Sequence, residues 1–476
     1  MTESAVSVFN RLVAAKPPEQ AQVRFWTVCV LGGSIAGLQA ARVLADHARE
    51  VVVIERDVVG VDGQSRPGVP QDLQVHVLLP GGRRWIERWL PGFTKEVLAH
   101  GATLSGPGRF VHYVDGRQQI EAGDHELLAA SRPLIESRLR AEVLALPNVT
   151  AVRAQATGLE YRDGRVSAVR YASGHASATL PAGLVVDAMG RASRLSDWLL
   201  ADGYDRPPME RLEIATNYST TLFRRAPHSE ERLPSIAIAR FSPPYPVDGV
   251  LVGAVNAIEN DQWIIGLMGY DENKPGRTLD ALIATCAKLP PVFSAAVSGE
   301  PVIGEILPYH QGDSRRRDFT RPARFPAGVL SVGDAVASFN PVYGQGMSAA
   351  ALHASCLSEY LLGDPAQGTP ATRFFELQQV VVDAAWAISA GADAARLDEI
   401  TGAAVPEEVA RRRQAMEQVR RASLTDEVVA RQFVDVAFML AHPDTLGDPA
   451  LIDRAVSVNE ATVTEPVRTG QALRAS

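Results

Sequence analysis

Short runs of mainly apolar residues at four places along the chain predict strands that are buried on both faces. They are residues 27–31, 51–54, 184–186 and 329–332. Between the first two runs, residues 38–44 place apolar side chains at helical spacing, directly after a glycine-rich turn. A strand, a turn, a helix and a second strand within about 30 residues predict a βαβ unit, in which the two strands are parallel.

The hydrophobic pattern changes beyond this unit, because strands and helices no longer alternate regularly. Residues 108–121 and 149–187 contain short strand-like pieces with Asp-Gly turns. Residues 212–305 alternate as in an antiparallel sheet, and the chain after residue 365 becomes rich in Ala, Arg and Glu with helical spacing. We therefore expect an α/β unit that is interrupted by an antiparallel sheet and followed by helices.

The turn after the first strand has the spacing of a dinucleotide-binding fingerprint, with a serine at the second motif glycine. Its first glycine permits a tight turn, its last lets the helix approach the strand, and the helix N-terminus offers N–H groups to a pyrophosphate. An acid at the end of the second strand can accept hydrogen bonds from ribose hydroxyls. The alternative is an ordinary glycine turn that binds no ligand. The candidate residues are Gly32, Gly33, Ser34, Gly37, Glu55 and Arg56.

A second motif, late in the chain, favours FAD over NAD as the dinucleotide. Gly333 and Asp334 follow a buried strand, and an aspartate in that position can hold the ribityl hydroxyls of a flavin. Residues 340–347 then form a glycine-rich turn that opens a helix and directs N–H groups at the pyrimidine edge of an isoalloxazine ring. The alternative is a polar loop that only caps a helix.

With these motifs the chain resembles the group A flavoprotein monooxygenases over residues 26–365. The resemblance implies noncovalent FAD, with NADPH or NADH as a transient reductant. Asp187, in the looser segment 187–193, stands at the Asp-Gly motif of that family, and Arg132 stands at its arginine that lies against the flavin or its phosphates. Gly346 and Met347 complete the predicted cofactor-binding set. The expected floor of the substrate pocket is formed by Pro341, Gly344, Gln345 and Gly346, and no catalytic acid or base is identified.

A narrower resemblance connects the chain with actinobacterial polyketide-tailoring flavoproteins of antibiotic biosynthesis, through residues 68–71, His76 and residues 340–350. That group includes polyether epoxidases, which oxygenate bulky lipophilic substrates through a flavin C4a-hydroperoxide. It also includes the pyrroindomycin-type [4+2] cyclase, a redox-neutral enzyme that forms a decalin from a polyene and keeps FAD as a structural group. Residues 333–347 favour oxygenation. Three features favour the cyclase: Gln74, which replaces the first of the paired histidines of these relatives, Ser34 in the altered fingerprint, and the loose motif at Asp187.

The resemblance implies an α/β fold with a Rossmann-like FAD-binding domain, interrupted by an antiparallel-sheet substrate domain and followed by a C-terminal helical region. The expected units are an N-terminal extension (1–25), the first part of the FAD-binding domain (26–211), the sheet domain (212–305), the second part of the FAD-binding domain (306–365) and the helical region (366–476). Aromatic residues recur in the sheet domain and predict a bulky lipophilic ligand: Tyr218, Phe223, Phe241, Tyr245 and Trp263.

Composition excludes several other classes of protein. The net charge of −8, from 47 Lys+Arg against 55 Asp+Glu, argues against a nucleic-acid binder. The three cysteines form no CxxC pair, which argues against a metal cluster. The uncharged stretch 335–358 is broken by Asn, Pro and Gly, so it does not predict a membrane span, and no targeting signal opens the chain. We expect a cytoplasmic monomer or homodimer that takes a small hydrophobic substrate.

Overall fold

Strands and helices follow the hydrophobic pattern in a computed structural model, which describes residues 3–58, 63–174, 176–227, 229 and 232–464. The strands are β1 (Phe25–Leu31), β2 (Ala48–Glu55), β3 (Val77–Leu78), β4 (Thr103–Ser105), β5 (Phe110–Val114), β6 (Arg117–Gln118), β7 (Leu127–Ala129), β8 (Val149–Arg153), β9 (Gln155–Arg162), β10 (Arg165–Ser173), β11 (Ala176–Pro181), β12 (Leu184–Asp187), β13 (Met209–Arg224), β14 (Ile236–Arg240), β15 (Val252–Ile258), β16 (Gln262–Tyr270), β17 (Leu307–Arg317), β18 (Val329–Ser331) and β19 (Ala337–Ser338). The helices are α1 (Ala5–Ala14), α2 (Ile35–Ala45), α3 (Pro80–Trp89), α4 (Phe93–Ala99), α5 (Arg132–Leu144), α6 (Leu195–Ala201), α7 (Leu279–Cys286), α8 (Pro291–Ala296), α9 (Gly346–Leu362), α10 (Thr372–Thr401), α11 (Glu407–Ala422), α12 (Glu427–Ala437) and α13 (Pro449–Thr464).

The four apolar runs of the sequence lie in neighbouring strands of one parallel sheet. Its order is β18-β12-β1-β2-β8, and each adjacent pair is parallel. Helices cover both faces of such a sheet, which is why its strands are apolar without alternation. Helix α2 joins β1 to β2 and packs against α9. The two helices that open at the predicted cofactor motifs therefore lie side by side.

A second sheet of eight strands has the order β19-β17-β13-β16-β15-β14-β5-β6, in which only the β14–β5 pair is parallel. The antiparallel pattern expected for residues 212–305 is present in β13 to β16. The sheet also takes up β5, β6, β17 and β19, which lie outside those bounds. These strands are short or rich in charge, so their own sequence carries no pattern that assigns them to this sheet. More of the chain builds the sheet than the sequence indicated.

The two faces of the second sheet have different partners. Phe223 and Trp263, at odd positions of β13 and β16, belong to an apolar core with Phe293 of α8. Thr220, at an even position of β13, donates a hydrogen bond to the side chain of Gln74, in the segment that precedes β3. The alternation of a strand thus directs one face toward α7 and α8 and the other toward the rest of the chain.

The two ends of the chain are helical where the structure describes them. Phe9 and Leu12 of α1 are buried, and Arg11 forms a 3.0 Å ion pair with Glu359 of α9. The predicted N-terminal extension therefore contains a packed amphipathic helix. Helices α11 to α13 share a small apolar core of their own. None of the helices within the described residues has the length and apolar character needed to cross a membrane.

Candidate functional site

The glycine turn after β1 is so tightly packed that two of its positions exclude any side chain. Gly32 has φ +107°, and a Cβ there would lie 2.4 Å from the carbonyl oxygen of Ala188, the residue after β12. A Cβ on Gly37 would lie 1.9 Å from the carbonyl oxygen of Gly32. Both distances are far below van der Waals contact, so the turn requires glycine at each position. The structural roles assigned to these glycines from the sequence match this geometry.

Ser34 precedes α2 but does not cap it, since its hydroxyl makes no hydrogen bond to the N–H groups of that helix. The hydroxyl donates instead to Glu136 Oε2 at 2.6 Å and accepts from Arg132 Nη2 at 3.3 Å. Both partners belong to α5. The first N–H groups of α2 are therefore left for a ligand, as an anion-binding helix N-terminus requires.

Glu55 lies at the end of β2, faces the glycine turn and is 7% exposed. Its Oε2 accepts from the N–H of Gly33 at 2.8 Å and from Arg66 Nη1 at 3.1 Å, and its Oε1 accepts from the N–H of Asp57 at 3.0 Å. A carboxylate has about four acceptor positions, so one remains for a further donor. Gly33 and Glu55, predicted together, are in direct contact.

A cavity of about 500 Å³ is lined by Arg66, which is bonded to Glu55, and by Glu136, which is bonded to Ser34. Burial by itself would raise the pKa of Glu136, but Arg66, Arg132 and Arg140 outweigh burial and hold that pKa below its usual value. The wall of the cavity is therefore charged, with the buried Glu136 carboxylate surrounded by three arginines. The charged side chains that line the cavity are Arg56, Arg66, Arg132, Arg140, Arg153, Asp57, Asp72 and Glu136.

Asp334 follows β18, and its carboxylate has no hydrogen bond or ion pair with any of the described residues. Burial raises the pKa of Asp334, while the nearby charges of Arg132 and Arg191 oppose that rise. Arg132 thus lies between the glycine turn, which it contacts through Ser34, and this carboxylate. Because β12 alone separates β18 from β1, the two loops are about 10 Å apart at the carboxyl edge of the sheet.

The glycine-rich loop before α9 is tied to the C-terminal helix α10. Asn340 Oδ1 accepts from the N–H of Val342 at 3.2 Å, and its Nδ2 donates to Asp393 of α10 at 2.9 Å. Tyr270 of β16 donates to the same carboxylate at 3.0 Å. Gly344 has φ +68°, which favours glycine. Asn340 thus holds the loop internally through Val342 and attaches it to α10 through Asp393, before α9 begins.

Comparison with known proteins places the chain in a family and a fold. It is 33% identical to Protein Rv3254 of Mycobacterium tuberculosis over 356 residues, which are 70% of this chain and 72% of that protein. The chain belongs to the family of Protein Rv3254. No protein-family model matches the sequence.

Two solved structures show the fold. The flavin-dependent brominase Bmp2 superposes with a TM-score of 0.62 at 14% identity, covering 92% of this chain and 99% of Bmp2. The p-nitrophenol 4-monooxygenase PnpA from Pseudomonas putida superposes with a TM-score of 0.62 at 18% identity, covering 87% of this chain and 99% of PnpA. The chain therefore has the fold of the flavin monooxygenases, and the predicted fold class is confirmed. The narrower resemblance to polyketide-tailoring enzymes stays a prediction.

Asp187 and Arg56, both predicted to contact the cofactor, have different surroundings in the structure. Asp187 is 1% exposed and accepts from Ser193 Oγ at 2.6 Å, the N–H of Met189 at 3.0 Å and Ser331 Oγ at 3.2 Å. Its carboxylate holds the turn after β12 rather than lining the cavity. Arg56 is exposed at the cavity rim. A direct contact with cofactor stays a prediction for both residues.

The predicted pocket floor is only partly at the surface. Pro341 is exposed and Gly344 and Gly346 are partly exposed, whereas Gln345 and Met347 are buried. The amide of Gln345 has no hydrogen-bond partner among the described residues, although it is 1% exposed. A buried amide without a partner is unusual, so its polar atoms are available to a water or a ligand. The place of Gln345 in the pocket floor stays a prediction.

The aromatic residues of the sheet domain do not form one surface. Phe223, Phe241 and Trp263 lie in the core against α7 and α8, so they do not face the glycine-rich loop. Tyr218 and Tyr245 pack instead beside Val342 of that loop. Alternation along a strand predicts that its faces differ, but the partner of each face is set by packing. A lipophilic ligand stays a prediction, which only the two tyrosines can support.

Gln74 and His76 act as structural residues in this arrangement. Gln74 Oε1 accepts from Thr220 Oγ1 at 2.7 Å, and its Nε2 donates to the carbonyl of Leu307 at 3.3 Å. Burial lowers the pKa of His76 to about 3, with the Arg132 charge adding to the effect. The imidazole is therefore neutral near pH 7. Gln74 attaches this segment to the sheet.

His353 is a site residue that sequence reasoning missed. It lies on α9, is 2% exposed and accepts a 3.0 Å hydrogen bond from the N–H of Gly333 at Nδ1. Burial lowers the pKa of His353 to about 3, so the ring is neutral and can accept at that nitrogen. Nothing in the sequence distinguishes it from any histidine on an apolar helix. Its role is to hold the loop that carries Asp334.

Proposed function

We propose that the protein is an FAD-dependent monooxygenase that oxygenates a lipophilic small molecule. The observation that carries the proposal is the arrangement at one edge of the parallel sheet. There Ser34, at an uncapped helix N-terminus, is bonded to Arg132, which lines a charged cavity. Asp334, whose carboxylate has no partner among the described residues, follows a strand two positions away in the same sheet. The fold shared with flavin-dependent enzymes supports the same reading.

The residues present fit an extended dinucleotide. Glu55 has an acceptor position for a ribose hydroxyl, and the N-terminus of α2 with Arg132 would hold the pyrophosphate. Asp334 would accept from ribityl hydroxyls, since it has no other partner among the described residues. The N-terminus of α9 would face the flavin ring, where the helix dipole favours a negatively charged reduced ring. The ribose, the pyrophosphate, the ribityl chain and the flavin ring would thus each meet a group of suitable chemistry.

When FAD is bound and reduced by NADPH or NADH, it supplies the activation of O₂ for insertion of one oxygen atom into substrate. The chain itself would bind the flavin and orient the substrate. Asn340 and Asp393 hold the loop that would meet the flavin ring, and His353 holds the loop of Asp334. Burial lowers the pKa of His76 to about 3, so its imidazole is neutral near pH 7 and is not a cationic acid.

A redox-neutral cyclase is a second candidate, which one observation favours. Gln74 is bonded to the second sheet on both its oxygen and its nitrogen, and His76 beside it is neutral. Neither residue therefore supplies a proton to an oxygenation step. A cyclase needs only a shaped pocket, in which a polyene is held in a reactive conformation.

Reconstitution with FAD tests the proposal in two steps. The first step measures flavin uptake by absorbance after gel filtration, and protein that takes up no FAD contradicts both candidates. The second step incubates FAD-loaded protein with lipophilic polyenes and NADPH, under air and under nitrogen, and determines product masses. A monooxygenase gives a product heavier by one oxygen atom, and only under air with NADPH. A product of unchanged mass, formed equally under nitrogen, would establish the cyclase instead.

A further inference from the structure

One arginine beside the glycine-rich loop lacks a carboxylate partner. Arg240 ends β14, and its guanidinium carbon lies 5.1 Å from the ring centroid of Tyr343 in that loop. Of the four other arginines that stack on aromatic rings among the described residues, three form an ion pair, namely Arg225 with Asp261, Arg316 with Glu210 and Arg396 with Glu272. The fourth, Arg49, is exposed to solvent, unlike Arg240. Arg240 is partly buried and pairs with no carboxylate in the part of the chain that the structure describes.

The neighbouring groups do not supply the missing anion. Burial raises the pKa of Tyr343 to about 12, so its phenol is neutral near pH 7. The carboxylate of Asp393 acts on Arg240 through space, but it is fully buried and already bonded to Asn340 and Tyr270. A partly buried cation without a close counterion is costly to the folded protein. A ligand anion would remove that cost.

An apolar surface adjoins the cation. Ile238 precedes Arg240 by two positions on β14 and so lies on the same face of the strand. It packs with Tyr218, Tyr245 and Val342 in one cluster, here called the Val342 patch. The patch therefore places apolar area next to a positive charge.

We propose that the substrate is an amphipathic carboxylic acid, whose apolar body lies on the Val342 patch and whose carboxylate is bound by Arg240. This inference rests on the proposed function, from which it takes the position of the reacting flavin ring. It adds that the substrate carries a negative charge. Arginine suits the task because its planar fork matches a carboxylate.

Calorimetric titration of FAD-loaded protein with naphthylacetate and with the matched neutral naphthylacetamide tests the inference. We expect the acid to bind at least about tenfold more tightly than the amide, as one charge-assisted contact provides. Arg240→Met should remove that preference, and Arg240→Lys should keep part of it. Arg225→Met is the matched control, since Arg225 also stacks on an aromatic ring but pairs with Asp261 on the opposite face of the sheet.

The outcomes separate this inference from the proposed function. Equal affinity for acid and amide, a preference that survives Arg240→Met, or no binding of either probe would each overturn the carboxylate site. Calorimetry reports binding without turnover, so the same titration of FAD-free protein still measures the preference. Failure to take up FAD would contradict the proposed function alone, whereas FAD uptake without acid preference would contradict this inference alone.

Discussion

Replacement of Gly37 by alanine is expected to destabilise the protein and to weaken FAD binding. The added Cβ would lie 1.9 Å from the carbonyl oxygen of Gly32 and 3.2 Å from Cβ of Ala188. The nearer contact is a backbone atom, so it cannot be relieved by rotation of a side chain. Either α2 or the turn must move, and both carry groups that we expect to contact the pyrophosphate.

The magnitude follows from two opposing contributions. Alanine is a better helix former than glycine by about 1 kcal/mol in a helix interior, which favours the variant. Forcing an extra methyl group into a filled site costs about 1–3 kcal/mol, and a contact this short lies at the upper end. We therefore expect a net loss of about 1–2 kcal/mol in the free energy of unfolding. FAD affinity should fall by about tenfold or more, since a 1.4 kcal/mol loss of binding energy gives that factor.

Urea unfolding and FAD titration measure the two effects, and Gly391→Ala is the control. Gly391 lies inside α10, and a Cβ there meets no atom within 4 Å. Its replacement should therefore raise the urea midpoint slightly and leave FAD affinity unchanged. If Gly37→Ala behaved like Gly391→Ala in both assays, the close packing of the turn would not be what requires glycine.

Three further variants test other parts of the site. Asp334→Ala should lower FAD affinity by about tenfold or more without lowering the stability of FAD-free protein, because the carboxylate has no partner among the described residues; unchanged FAD affinity in a titration would contradict this. Burial lowers the pKa of His353 from 6.5 to about 3 in the folded protein. Between these pH values the unfolded chain binds a proton at His353 and the folded protein does not, so the free energy of unfolding falls as pH drops from 6.5 toward 3, by up to about 1.4 kcal/mol per pH unit. His353→Asn keeps an acceptor but not the titration, so its urea midpoint should depend less on pH in that range, and an unaltered pH profile would refute the assignment. Asp393→Ala leaves the buried donors of Asn340 and Tyr270 without an acceptor, so we expect a loss of about 1–3 kcal/mol and altered circular dichroism of bound flavin; an unaffected flavin spectrum would show that the loop does not depend on Asp393.

The sequence alone predicted the features that depend on local chemistry. Residues 27–31 and 51–54 are apolar without alternation because both faces of their strands are covered, so the parallel sheet was visible as a pattern. Gly32 and Gly37 were recognisable because the turn between β1 and α2 leaves no room for a Cβ at either position. Such requirements act within a few residues of one another and therefore leave a signature in spacing and residue type.

Only the tertiary structure decided how distant segments combine. It assigned β5 and β17 to the second sheet and selected the partner of each face of β13, with Phe223 in the core against α8 and Tyr218 in the cluster that contains Val342. It also brought His353 to the N–H of Gly333. None of these pairings has a local signature, because a strand or helix shows which of its side chains are apolar but not which partner covers them. The partners are selected by long-range packing, and this is why the fold and the glycine turn could be predicted while the contacts that hold the site could not.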